Sequence, residues 1–455
     1  EGRITHQQML SEKIPFDAIE VQSTPPFNFR EVWRSPLNSN PQRWFFVDDI
    51  DNDGRTEVVY FLFDISPTTQ GRIVVYKEVG NNQYVVDWDT LVQRDDFGPL
   101  GISDVDQDGH KEIVMVYNGG GFGVIGFLEC YGPRQYRFYR SNIGFQKPLV
   151  TTAESDINHN GIKELCVLTS DPSVTYDQTF IYIAEFVGKG PGPSGWSMAF
   201  NQTIARISQP VYDMAIGQID GGGWDEIVLG TGGSVEPRGY AAYLKYSGTP
   251  GVFAWQPHFI EAGQPANCLT PQFVDLDGDS VLDLLMAGGG PIGYGSVYGL
   301  KHIADTTYSV MWVDSTFRAA PVSIAFGSIN GIRTVIANNF KTEGPTPIYS
   351  AIEILQDGGN GVYSRVGNIP LLQDSAVYLR LSLTDPDSDG RADIIGARTR
   401  ETHPVFDNRL VDLEGDSSTT GIRERSALSK QSRLFQNSPN PFNPTTIIAF
   451  RIENS

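Results

Sequence analysis

The residues best suited to chemistry in this chain are carboxylates at alternate positions. In Asp49-Ile-Asp51-Asn-Asp53-Gly54-Arg55-Thr-Glu57, the acids at positions one, three and five put three oxygen donors on the inside of a tight loop. Gly54 permits the sharp turn, Arg55 at position seven can offer its carbonyl, and Glu57 at position nine closes the set. The pattern recurs as Asp104, Asp106, Asp108, His110 and Glu112, and as Asp156, Asn158, Asn160, Ile162 and Glu164. It returns as Asp275, Asp277, Asp279, Val281 and Asp283, and as Asp385, Asp387, Asp389, Arg391 and Asp393. Hard oxygen donors in that number suit Ca²⁺ better than a transition metal, so about five calcium sites are expected. An EF-hand is excluded, because its closing Glu comes at position twelve, where these loops have Tyr60 and Met115 inside apolar runs. One such loop alone could be an acidic turn; five copies in one phase argue for a cation. Two asparagines in the third copy predict weaker binding there.

Every copy is followed at once by a β-type run: VVYFLF, IVMVY, LCVLT, LLMAGG and IIGAR. Two decayed copies fill the gaps in the series and are expected to bind nothing. Gln218-Ile-Asp220-Gly-Gly222-Gly223-Trp-Asp-Glu226 leads into IVLGTGG, and Ser328-Ile-Asn330-Gly331 leads into VIANN. First positions at 49, 104, 156, 218, 275, 328 and 385 are 52 to 62 residues apart, the length of a four-stranded blade with its loops. The reading is an all-β, seven-bladed β-propeller in which the acidic loop joins the first and second strands of each blade. The last unit runs out before a fourth strand, and Phe29-Arg-Glu-Val-Trp33-Arg resembles the aromatic fourth strands of the others. An N-terminal strand completing the C-terminal blade would close the ring and cover two sheet edges. The expected layout is an extended arm over 1–28, the propeller over 29–413, a polar linker over 414–433 and a tail over 434–455.

The phased loops and their strands resemble the FG-GAP or VCBS repeats of integrin-α-type propellers, over about residues 29–413. The FG and GAP tripeptides survive as fragments such as Phe97-Gly98 and Ala287-Gly288-Gly289. The resemblance implies structural calcium in the blades and partner binding on loops at another face. In the tail, the string Pro439-Asn440-Pro441-Phe442-Asn443-Pro444-Thr445-Thr446 is similar to the opening of the C-terminal sorting domain of type IX secretion cargo. That implies export across an outer membrane, then release or surface attachment. The similarity stops at Ser455, short of the further strands such domains carry. The chain starts at Glu1 with no signal-like apolar stretch and reads as a mature exported product, extracellular or on the outer cell surface. Thr445 to Ile452, an apolar strand, is expected to pair with an edge on another copy, and residues 1 to 27 to assist head-to-tail polymerisation.

Composition narrows the partners. A formal net charge of -20 disfavours nucleic acid and anionic membrane surfaces, and about a third of the 54 acidic residues lie in the five loops. With 48 Gly and 28 Pro the chain suits short strands and tight turns, and no apolar run is long enough to span a membrane. Cys130, Cys166 and Cys268 match no metal spacing and are expected to be buried free thiols. There is no nucleophile elbow, zinc-type histidine cluster or phosphate loop, and the six histidines, among them His110 and His159 inside loops, are scattered. The expectation is a non-catalytic adhesion or assembly module, with an extracellular protein, a glycan or other copies of itself as partner and a surface filament as its sharpest form. The alternatives are a polysaccharide lyase, which needs a base and cations gathered over one face, and a lectin, for which Trp196, Trp224, Trp255 and Tyr294 are candidate platforms.

Overall fold

The computed structural model describes residues 27–415 apart from 36–44, 64–69, 94–96, 120–121, 146–148, 158, 170–178, 190–195, 208–210, 220–224, 232–240, 250–251, 261–266, 290–294, 305–306, 319–320, 322, 344–345, 371–375, 403–404 and 407–408. Towards the C-terminus it describes 432–434 and 450–452. The chain divides into two compact units, Glu1–Asp416 and Ser417–Ser455.

The first unit is all-β. Runs rich in Val, Ile, Tyr and Phe, broken by Gly, Asn and Asp, cannot sustain a helix but suit pleated strands buried on both faces. Strand β1 (Phe29–Arg34) is followed by β2 (Phe45–Asp48), β3 (Glu57–Phe63), β4 (Gln70–Gly80) and β5 (Gln83–Gln93), the last four forming one antiparallel sheet. Next come β6 (Phe97–Ser103), β7 (Glu112–Gly119), β8 (Phe122–Cys130) and β9 (Tyr136–Phe145). Then β10 (Leu149–Ser155), β11 (Glu164–Thr169), β12 (Thr179–Lys189) and β13 (Trp196–Ile207) repeat the order. Three four-stranded sheets follow in part by the same meander: β14 (Val211–Gly217) with β15 (Glu226–Thr231), β16 (Ala241–Thr249) and β17 (Val252–Ile260) is the first. The second holds β18 (Asn267–Val274), β19 (Asp283–Gly289), β20 (Gly295–Ala304) and β21 (Thr307–Phe317). The third holds β22 (Ile324–Ile329), β23 (Ile332–Glu343), β24 (Thr346–Asp357) and β25 (Tyr363–Pro370). Finally β26 (Ala376–Thr384), β27 (Asp393–Thr402), β28 (Val405–Phe406) and β29 (Arg409–Gly415) share a sheet with β1.

This is a β-propeller, but its strands form six sheets where the sequence predicts seven blades. The difference lies between β6 and β13. Two four-stranded meanders join there into one eight-stranded sheet through a single parallel bridge, Trp196↔Ser141, between their outermost strands. Strand β1 runs antiparallel to β29 from Phe29↔Gly415 to Arg34↔Val411. Trp33 of β1 rests its ring on Tyr76 and Tyr84 of the neighbouring sheet, at centroid distances of 5.1 and 4.5 Å.

Apolar clusters fill the spaces between successive meanders. Val105, Val114 and Ile125 meet Leu165 and Val167, for example, and Ile157, Cys166 and Leu168 meet Ile227 and Leu229. At the far end Ile395, Ala397 and Leu410 pack on Phe45, Val58 and Tyr60, so the last sheet lies against the first complete one. Each large apolar side chain buried this way contributes about 1.5–3 kcal/mol, and the loops below are anchored to this rigid frame.

In the second unit β30 (Ser432–Leu434) pairs antiparallel with β31 (Phe450–Ile452), in the register Ser432↔Ile452 to Leu434↔Phe450. The sequence expected Thr445 to Ile452 to be free for another copy. The described portion, Phe450–Ile452, instead finds a partner within its own unit. The arm over 1–26 and the Pro-Asn-Pro-Phe string lie outside the described residues.

Candidate metal sites

The acidic loops join β2 to β3, β6 to β7, β10 to β11, β18 to β19 and β26 to β27, the first and second strands of their meanders. They share one hydrogen-bonded form. The carboxylate at position one accepts the N–H of position six in all five: Gly54 to Asp49, 2.9 Å; Gly109 to Asp104, 3.2 Å; Gly161 to Asp156, 2.9 Å; Ser280 to Asp275, 2.9 Å; Gly390 to Asp385, 3.0 Å. At position seven, Arg55, His110, Ile162, Val281 and Arg391 each donate the backbone N–H to the side-chain oxygen of position five, at 2.7–3.0 Å. The buried acid at position nine accepts the N–H of position two: Ile50 to Glu57, Val105 to Glu112, Ile157 to Glu164 and Leu276 to Asp283. Position two is an apolar residue sunk in the core, so this bond ties the loop floor to the strand that follows.

Two turns in each loop are left-handed. Asn52, Gln107, His159, Gly278 and Ser388 have φ between 52° and 83° at position four, and position six has φ from 67° to 90°. Glycine tolerates that region at no steric cost; Ser280, at φ 67°, does not. We predict that Ser280→Gly stabilises the protein by about 0.5–1 kcal/mol, read as a rightward shift of the urea unfolding midpoint without a change in slope.

What faces position nine from the third strand divides the loops. Glu57 pairs with Lys77 across β3 and β4. The Lys77 Nζ lies 2.7 Å from Asp51, 2.9 Å from Asp53 and 2.7 Å from Glu57, at the centre of the first loop. Burial pushes Glu57 up to about 7 against the pull of that ammonium. Burial also opposes the charge on Lys77, but hydrogen bonds to Asp51, Glu57 and Asp53 outweigh it and raise the lysine above its ordinary value. With the two groups in hydrogen-bond contact, the geometry favours the ion pair at neutral pH. In the loop that opens β19, Lys301 bonds Asp277 and, at 2.7 Å, Asp279, while Asp283 Oδ1 is buried with no hydrogen-bond partner.

Glutamates take that place elsewhere. Glu112 faces Glu129, and ligand oxygens of Asp106, Asp108, Glu112 and Glu129 lie within 4.8 Å of one another. Both glutamates are wholly buried, and Tyr131 donates its hydroxyl to Glu129 at 2.6 Å. Glu112 Oε1 and Asp104 Oδ1 are buried with no hydrogen-bond partner. Burial lifts Glu112 to about 9, the Asp106, Glu129 and Asp104 charges adding to the rise while the Val105 N–H opposes it. Asp393 faces Glu414. Position two of that loop is Pro386, which has no N–H, and both carboxylate oxygens of Asp393 are buried without a partner. Burial and the nearby Asp412 raise Asp393 well above the usual carboxylate range. Glu414 is already engaged by Arg30 at 2.9 Å, Arg391 at 3.1 Å and Asn82 at 2.7 Å. In the third loop Glu164 faces Glu185, whose carboxylate accepts from the Asn160 amide at 3.0 Å; Asn158 lies outside the described residues.

Several acidic clusters could therefore hold a metal ion: the Asp106 group, Asp49 with Asp51 and Asp53, Asp275 with Asp277 and Asp279, Asp385 with Asp387 and Asp393, and Asp387 with Asp389 and Glu414. Sequence reasoning found the loops and missed Glu129, Glu414, Lys77 and Lys301. The available signal was a charged residue in each third strand, 17 to 21 residues past position nine.

The two decayed copies differ. Ile219 still donates to Glu226 at 3.0 Å, as in an intact loop, whereas residues 220–224 lie outside the described residues. The copy at Ser328 is a two-residue hairpin turn: Ile329 faces Ile332 across Asn330 and Gly331, with φ of 54° and 74°, the Asn-Gly type I′ geometry.

Without a cation, the folded protein holds Glu112 near 9, against 4.5 for an ordinary glutamate, and Asp283 near 6, against 3.8. A carboxyl raised on folding contributes its stability below the unfolded value and loses it as pH climbs through the folded one. We therefore predict that chelator-treated protein unfolds more easily at each step from pH 5 to pH 9, measured by urea titration. Stability that is flat or rising over that window would contradict the burial described.

Away from the loops, first strands of several sheets line a cavity of ≈ 370 Å³, with Phe46, Gln272, Phe326, Arg380 and Ser382 on its wall. Arg380 lies 4.9 Å above the Phe46 ring. Cys130 and Cys166 are buried free thiols, and burial raises both. The side chains of Cys268, Trp196, Trp224, Trp255 and Tyr294 lie outside the described residues. Among the described residues no helix is long and apolar enough to cross a membrane.

No protein-family model matches this chain, and no curated protein matches it. Solved structures similar to it include BBS1N, in complex with ARL6DN, at 10% identity and TM-score 0.47, over 85% of this chain and 96% of that one. The NanB sialidase from Streptococcus pneumoniae is similar at 12% identity and TM-score 0.43, over 86% and 71%. Sqt1 from Chaetomium thermophilum is similar at 12% and 0.44, over 76% and 78%.

Proposed function

We propose that this chain is a secreted, calcium-stabilised propeller that serves as a non-catalytic adhesion or assembly module at the cell surface. The observation that carries this reading is the acidic loop. Five copies in phase adopt one hydrogen-bonded form, and in three of them the fully buried acid at position nine keeps an oxygen without a hydrogen-bond partner beside the loop carboxylates. Several carboxylate oxygens gathered in one loop are a donor set suited to Ca²⁺. The similarity of these loops to FG-GAP and VCBS repeats supports the same ion. In this reading the eight-stranded sheet is two blades that touch at one bridge, the ring has seven blades, and β1 closes it.

Secretion rests on the resemblance of the Pro439–Thr446 string to a type IX sorting domain. Assembly draws on the two ends of the chain. The alternative is a lectin or polysaccharide lyase, and the Arg380 guanidinium in the cavity is the feature that would serve it. Electron microscopy of the purified protein in calcium, beside incubation with uronate polysaccharides, separates these. Discs or filaments and no unsaturated sugar product are expected; steady release of unsaturated product would overturn the non-catalytic reading. Filaments that survive deletion of residues 434–455 would remove the tail from assembly.

A further inference from the structure

We infer that the five acidic loops are not five equivalent calcium sites: two carry a built-in ammonium in place of a metal, and tight divalent-cation binding is confined to the second and the last. This deepens the calcium reading and rests on it.

The first loop already contains its cation. Lys77 Nζ sits within 2.9 Å of three carboxylates from positions three, five and nine, positions at which a bound ion would take its oxygens. The lysine is nearly buried and is held there by strand register, since Lys77 lies directly opposite Glu57. A divalent ion would have to expel this ammonium from contacts that no other group can supply. Lys301 enters the loop of Asp275 from its third strand and bonds positions three and five, Asp277 and Asp279, leaving one buried oxygen of Asp283 without a hydrogen-bond partner.

The second loop has the opposite construction. Where the first has Lys77, it has Glu129, which adds a fourth acid to Asp106, Asp108 and Glu112 within 4.8 Å. Two wholly buried glutamates set side by side, one with an oxygen that accepts nothing, repel each other without a cation between them. Glu129 is thus a ligand contributed by the strand and not by the loop motif. The last loop reaches the same need differently. Pro386 removes the N–H that would satisfy Asp393, both oxygens of that buried acid are unpartnered, and one of them lies within 4.8 Å of ligand oxygens of Asp385 and Asp387. Glu414, whose ligand oxygen lies within 4.8 Å of those of Asp387 and Asp389, is shared with Arg30, Arg391 and Asn82. The third loop is quenched by an amide, since Asn160 donates to Glu185.

Calcium titration of the full chain, followed by calorimetry after chelator removal, tests the division. Wild type is expected to take up two tight equivalents. Lys301→Glu, at a position only partly buried and therefore mild for folding, is expected to take up three. Glu129→Gln is expected to lose one, and Lys77→Glu to gain one if it folds. Five equivalents in wild type, or an unchanged count in both Lys301→Glu and Glu129→Gln, would overturn the division while leaving the calcium reading intact. No uptake by wild type at millimolar calcium would remove both.

Discussion

Lys77→Met lowers the stability of the chelator-treated protein by about 3–5 kcal/mol, because it strips the counter-ion from buried carboxylates that stay behind. Glu57 is fully buried, and its second oxygen is already committed to the Ile50 N–H at 2.7 Å. Nothing else in the loop can replace the ammonium on its first oxygen. Methionine keeps the volume of the side chain, so loss of packing contributes little. In millimolar calcium the loss is smaller, since an ion can then enter the space between Asp51, Asp53 and Glu57. Guanidinium unfolding of both proteins, with and without calcium, measures this. A loss below about 1 kcal/mol in chelator would mean that Lys77 is a surface ion pair of ordinary weakness.

Chelation of the wild-type protein is expected to produce the other large effect. Each site that binds only the folded chain adds about 2.7 kcal/mol at a free ion concentration a hundred times its Kd, so two sites amount to roughly 5 kcal/mol. Scanning calorimetry should show a clear fall in Tm on adding EDTA and recovery with calcium but not with sodium. Glu112→Gln supplies a reversal of sign. With calcium present it removes a ligand and lowers Tm. In EDTA it removes a buried carboxyl that ionises only at a cost beside Glu129, and Tm is unchanged or higher. Equal Tm values for wild type in calcium and in EDTA would end the metal assignment for these loops.

The meander and the place of the loops within it were legible along the chain. The reason is that each is a local property: alternation, turn residues and a fixed nine-residue phase. Position six was legible as glycine, whereas position four was not, since Asn52, Gln107, His159 and Ser388 share a left-handed φ but no common chemistry. The count of sheets was misjudged at Trp196↔Ser141, a single bridge between strands that no sequence pattern marks.

By itself the sequence determined that carboxylates recur in step with strands, and so that charge must be neutralised at regular intervals in an all-β unit. Only the tertiary structure decided how. Whether a loop meets Lys77, Lys301, Glu129 or Glu414 depends on hairpin length and register, which bring together residues 17 to 21 positions apart. Electrostatic energy depends on the distance between charges and on their burial, and neither is written in the order of residues.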